Sequence, residues 1–248
     1  MLKLYGRLAG RAAHLAVRGW PAAVALLLYA TLLQLATGLS MQLGRLGGVV
    51  LVFVVAFLIS SYLHLVSLVV ADRRIHIGDF RESFRPRFWD VVMVLFAIWV
   101  IQLLVGVVTI DWGQRGQIVA VLVGLTMVVF FNAIPELIYM AQGRVRSFGL
   151  LMTSARFITR YWPEWLGPTA IIGAVMLAPL GVLQQGSAAE RLLRFQGLFS
   201  VNGIAAVVLS MPLWLAPLML LFITWAMVFR GLLFAALASG AARKRSWP

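Results

Sequence analysis

An all-α membrane protein with six transmembrane helices is the fold this sequence predicts, and three observations carry the prediction. Six apolar stretches of about twenty residues run along the chain, the length a helix needs to cross hydrocarbon at 1.5 Å per residue. Hydrophobic residues make up 62% of the 248 and charged residues 12%, too few polar groups to cover a soluble domain of this size. The basic residues gather in alternate connecting segments, as they do around membrane spans. A transmembrane barrel would show segments of about ten residues with alternating polarity, and these runs are longer and apolar on all sides.

The spans fall at 20–37, 47–71, 89–110, 117–139, 166–183 and 204–229. After the first stands Gly38-Leu39-Ser40, a loose likeness to a signal-peptide cleavage site. The long basic stretch before that span, and its near-full length, favour a retained helix. The fourth is interrupted by Pro135. Around the sixth, residues 199–238 are apolar except for Asn202, Pro212, Pro217 and Arg230. A straight helix of that length would be about 60 Å, twice the hydrocarbon thickness. Two solutions stay open: a helix kinked at Met211-Pro212 and Ala216-Pro217, or a separate short helix before Pro212.

Orientation follows from lysine and arginine. One side of the spans carries 17 of them, the other only Arg45, Arg115, Arg191 and Arg194. The positive-inside rule then places both termini in the cytoplasm. A seventh span would export Arg243-Lys244-Arg245 and is rejected. The formal net charge of +13 suits anionic lipid headgroups rather than nucleic acid, because the charge flanks the apolar runs.

Each odd-numbered span opens in the same way: Arg18-Gly19-Trp20-Pro21, Arg87-Phe88-Trp89-Asp90 and Arg160-Tyr161-Trp162-Pro163. Arginine suits headgroup phosphate and tryptophan the interface, while proline or aspartate suits a first helical turn. Before each lies a basic amphipathic stretch: Lys3 to Arg11, Arg74 to Phe88 with Ile77, Phe80 and Phe84, and Ser147 to Tyr161 with Phe148, Leu151, Met152, Ala155 and Ile158. These read as helices lying in the cytoplasmic interface. The chain is then one membrane domain, 1–248, with internal repeats at 1–71, 73–141 and 144–229 and a short basic tail at 239–248. Arg18, Trp20, Arg85, Arg87, Trp89, Arg156, Arg160 and Trp162 form an expected collar of headgroup contacts with a preference for anionic lipid.

The segment Gly149-Leu150-Leu151-Met152-Thr153-Ser154-Ala155-Arg156-Phe157-Ile158-Thr159-Arg160-Tyr161-Trp162-Pro163 resembles one that YciC-like bacterial inner-membrane proteins place before their fifth helix. Relatives of that set include the membrane domain of some glycerophosphoryl diester phosphodiesterases. The resemblance implies a six-helix fold in the inner membrane and brings no catalytic residue with it.

Chemistry-bearing residues are sparse. Among the acids only Glu136 lies well inside an apolar run, one residue after Pro135, and Arg230 is its counterpart among the cations. An ionised group at that depth needs a partner, so the two are expected to pair, either as a structural brace or as part of a substrate or ion site. Asn202 and Gln102 are candidates for joining helices by hydrogen bonds. His14, His64 and His76 are scattered, cysteine is absent, and no nucleotide-loop, zinc-protease or hydrolase-elbow motif appears. No cofactor or metal is expected. The reading is a non-catalytic structural, assembly or envelope-homeostasis protein, with a membrane-protein partner or a second copy as possible company. A permease for a hydrophobic or lipid-like substrate is the alternative, and a membrane-embedded enzyme has less behind it.

Overall fold

A computed structural model gives the structure of residues 2–83, 87–140, 147–177 and 216–240. Outside these lie Phe84, Arg85, Arg144, Arg146, Glu190, Arg191, Arg194, Asn202, Pro212 and the tail Arg243-Lys244-Arg245. The end of the expected fifth span and the start of the sixth lie outside them as well. The described residues form an all-α, polytopic membrane protein. Four apolar stretches are long enough to cross a bilayer: Trp20–Gln42, Leu46–Val70, Phe88–Met140 and Pro217–Ala238.

In chain order the helices are α1 Leu2–Arg18, α2 Trp20–Gln42, α3 Arg45–Val70, α4 Ile77–Glu82, α5 Phe88–Thr109, α6 Gly113–Phe130, α7 Ile134–Met140, α8 Ser147–Leu177 and α9 Ala216–Ala238. The core gathers around α3 and α9. α3 packs on α2, α5 and α7, and α9 packs on α1, α2, α3, α7 and α8. Leu65, Val66, Val228, Leu233 and Leu237 are among its fully buried side chains.

Phe88–Met140 is 53 residues long, about 80 Å if straight, and folds back on itself instead. A 3-10 turn at Ile110–Trp112 and Gly113 reverse the chain, so α5 and α6 pack as a hairpin. The α2–α3 hairpin turns in the same way. Gly44 has φ 57° and ψ −130°, and Gly113 has φ 53° and ψ −129°, values open to glycine alone without strain. Three residues on, Gly47 and Gly116 let the second helix approach the first. A Cβ there would lie 1.9 Å from the Ser40 carbonyl oxygen and 2.3 Å from that of Thr109. Gly44 and Gly113 stand 69 residues apart, the same offset as Trp20 and Trp89.

Several sequence expectations are altered. Among its described residues before α5, the amphipathic stretch 74–88 is helical as α4, where His76 and Asp79 form a capping box, His76 N–H donating to Asp79 Oδ2 at 2.7 Å. The stretch before the fifth span is not separate from it. α8 runs through both and bends at Tyr161 (φ −125°, ψ 24°), just before Pro163 removes an intrahelical N–H. The fourth span is interrupted as Pro135 predicts, with the break at Phe131-Asn132-Ala133 between α6 and α7. The sixth does not stop at Phe229: α9 continues to Ala238, because Arg230 has a carboxylate partner inside the bundle and need not end the helix.

α1 has an apolar face as expected, but that face lies on protein. Ala12, Leu15 and Ala16 are buried, with Leu4, Tyr5, Leu8 and Ala9 packed behind them, and the helix crosses α9. Gln102 is exposed on α5 and hydrogen-bonds no other helix among the described residues.

Candidate functional site

The break between α6 and α7 begins with the sequence. Pro135 has no N–H, so the helix cannot run through it with its bonds intact, and carbonyls at the end of α6 lose their usual donors. Phe131 is closed locally, accepting from Ile134 N–H at 3.0 Å. Phe130 and Asn132 are closed from other helices. Ser154 Oγ of α8 donates to the Phe130 carbonyl at 2.7 Å, and Arg230 Nη2 of α9 donates to the Asn132 carbonyl. Trp165 Nε1, also from α8, donates to Asn132 Oδ1 at 3.0 Å.

Glu136 and Arg230 meet here. Arg230 Nε lies 2.7 Å from Glu136 Oε1 and its Nη2 lies 3.1 Å from Oε2, a bidentate pair. Glu136 is fully buried, and the Arg230 guanidinium lies 5.1 Å from the centre of the Trp165 ring. Trp165 is itself fully buried, against Phe157 and Phe234. One turn along α7, Tyr139 donates its hydroxyl to the Met227 carbonyl at 3.0 Å. Gly231 makes room for it: a Cβ there would lie 2.5 Å from the Tyr139 hydroxyl oxygen. α7, α8 and α9 are thus tied by charge, hydrogen bonds and close packing at one place.

The arginines of the repeated Arg-x-Trp segments differ in what they touch. Arg18 pairs with Asp72 at 2.8 Å. Asp72 sits in the left-handed region (φ 56°) just past α3, where its N–H bonds the Val69 carbonyl and the Arg73 N–H bonds that of Leu68. That is a Schellman stop, with aspartate where glycine is usual. Arg87 donates to the Tyr139 carbonyl at 2.9 Å and to the Leu63 carbonyl at 3.3 Å. Burial pulls the Arg87 guanidinium below its usual range, and the negative charge of Asp90 opposes the shift. Each of these two arginines therefore fastens the far end of its own hairpin. Arg160 lies 5.5 Å from the Tyr161 ring centre, and Arg156 is exposed. Trp20, Trp89 and Trp162 are 60%, 65% and 62% exposed, all turned outward. Arg85 lies outside the described residues.

A second tie joins α1 to the bundle. Pro168 cannot donate to the Glu164 carbonyl four residues back, and the Tyr5 hydroxyl donates to it instead at 3.2 Å. Burial, then the Glu164 charge, push the Tyr5 hydroxyl pKa up, so it stays a donor. Trp225 Nε1 donates to the Ala9 carbonyl at 3.1 Å. Elsewhere a buried chain of hydroxyls runs Tyr29–Ser61–Ser83, with 2.5 Å at each step. Among the described residues no three His, Asp or Glu side chains gather as metal ligands.

Sequence reasoning singles out Glu136, four residues after Asn132, and Arg230, and overlooks Ser154, Trp165 and Tyr139 as their neighbours. One signal was present: Asn132, Glu136 and Tyr139 are spaced four and three apart, which sets them on one helical face. No family model, curated protein or solved structure matches this chain.

Proposed function

We propose that this protein is a non-catalytic integral protein of a bacterial inner membrane, with a structural, assembly or envelope-homeostasis role. In this reading six spans form three pseudo-repeated units, and both termini are cytoplasmic. The observation that carries the role is the closure of the polar set around Glu136. Arg230 gives its donors to Glu136 and to the Asn132 carbonyl and lies against Trp165, while Asn132 and Phe130 accept from α8. A carrier or enzyme needs polar groups free to exchange partners with a substrate. Here the helices themselves take up that capacity, and the network acts as a cross-brace.

Support for the repeat comes from three likenesses. The hairpin turns at Gly44 and Gly113 share one conformation, Arg18 and Arg87 fasten equivalent helix ends, and the three tryptophans are equally exposed. In the third unit Gly186 stands as far beyond Trp162 as Gly44 beyond Trp20. The six spans follow if Phe88–Met140 counts as two crossings and α8 beyond Tyr161 as another. The segment Gly149 to Pro163 supports kinship with the YciC-like proteins on sequence grounds. Exposed Arg156, Arg160, Trp20, Trp89 and Trp162 suit the headgroup layer of anionic lipid on the cytoplasmic side.

Reporter fusions after Gln42, Gln114 and Gln185 should read external, and those after Asp79 and Gln142 internal; an external reading at either of the last two breaks the topology. For the role, the paired variant Glu136→Gln with Arg230→Met should fold and keep its cellular function. A folded paired variant that has lost it, or flux of a lipid-like solute through the reconstituted protein, would make this a carrier.

A further inference from the structure

The polar side of α1 is unlike that of the other cytoplasmic segments. Lys3, Arg7, Arg11 and His14 are spaced four, four and three residues apart and all are exposed, so they form one ridge about 16 Å long. The helix contains no acid. Arg18 continues the ridge and is neutralised by Asp72, but the first four have no ion pair among the described residues. By contrast α4 carries Asp79 and Glu82 beside Arg81. The opposite, apolar side of α1 is already covered by α9. The ridge therefore does not flank a lipid-buried face; it is a separate surface held in place by protein.

Its level in the molecule is fixed at both ends. Tyr5 is bonded to Glu164, close to where α8 becomes apolar, and Arg18 to Asp72, two residues beyond the apolar helix α3. The two ends of α1 thus sit at the limits of the apolar helices α8 and α3, the level at which a bilayer presents its phosphates, with exposed Trp20 beside Arg18. We propose that the Lys3–Arg7–Arg11–His14 ridge is a binding surface for the phosphate groups of anionic membrane lipids, built into α1 by its packing on α9. This rests on the proposed preference for anionic lipid and assigns it to one helix. The ridge supplies several cations at fixed intervals, arginine can hold a phosphate through two parallel N–H donors, and lipid phosphate is the anion present at that level.

The test uses the full chain in non-ionic detergent. Native mass spectrometry counts retained phosphatidylglycerol and phosphatidylcholine for wild type, for Lys3→Gln/Arg7→Gln/Arg11→Gln, and for Arg156→Gln/Arg160→Gln. Phosphatidylglycerol retention should fall at least about tenfold in the α1 variant, since each basic residue near an anionic surface adds to the attraction. It should fall clearly less in the α8 variant, which takes two charges from the headgroup layer but leaves the ridge whole, and phosphatidylcholine retention should change in neither. Arg7→Lys/Arg11→Lys, which keeps the charge, should recover most of the binding and so separates lost charge from lost folding. Equal losses in the α1 and α8 variants would overturn the assignment to α1 while leaving a general anionic preference standing. No loss in either would overturn both. Displacement of the lipid by inorganic phosphate alone, or binding of an acidic polypeptide to the ridge in place of lipid, would overturn the lipid as its occupant.

Discussion

The α5–α6 hairpin and helix α9 treat hydrophobicity in opposite ways. Phe88–Met140 contains the most hydrophobic window of the four apolar stretches, yet 17% of that window is buried in the protein, against 56% in Pro217–Ala238. In water the order would be reversed, because apolar side chains leave solvent by entering the core. Here lipid is the outer solvent, so a helix can be wholly apolar and remain outside. The helix that goes inside is the one with something to pair. α9 brings Arg230, Gly231 and Thr224 into the bundle, where polar and small residues hold helices together better than more leucine would.

That contrast is exposed to direct attack. The largest effect should come from Glu136→Gln or Arg230→Gln, each leaving a buried group without its partner at a cost of about 3–5 kcal/mol. Unfolding in detergent–lipid micelles would measure it, and the double variant should lose much less than the two single losses together. Additive losses would mean that the pair is not the brace. Next, Leu233→Ala on α9 should cost about 2–5 kcal/mol. Leu104→Ala or Val107→Ala on α5 should stay within about 0.5 kcal/mol. Similar costs on both helices would show that protein, rather than lipid, covers the hairpin.

A smaller effect tests the close approach of α7 and α9. Gly231→Ala should cost about 1–3 kcal/mol through overpacking against Tyr139, and Tyr139→Phe in that background should recover part of it. No recovery would place the clash elsewhere, with Val70 the remaining neighbour. The smallest loss, about 0.5–1.5 kcal/mol, is expected for Tyr5→Phe, which leaves the carbonyl freed by Pro168 without its donor. Faster proteolytic release of α1 in that variant would be the sharper readout, since α1 is held by few such bonds.

The apolar runs by themselves determine that this is a helical membrane protein and roughly where α2, α3 and α5 begin. Length and hydrophobicity act within one segment and need no partner to be read. Two ionisable residues in apolar runs likewise mark Glu136 and Arg230, because burial of an unpaired charge is too costly to leave uncompensated. What the tertiary structure decides is every question of who meets whom. Pro135 marks a break, but only packing assigns Ser154 and Arg230 to the carbonyls near it and Trp165 to Asn132. Pro168 likewise frees a carbonyl that only the position of α1 could give to Tyr5. The amphipathic pattern of α1 is the same whether its apolar side faces lipid or α9. The periodicity of a helix records that a face must be covered; what covers it depends on the other helices, and here α9 takes the place that lipid would have filled.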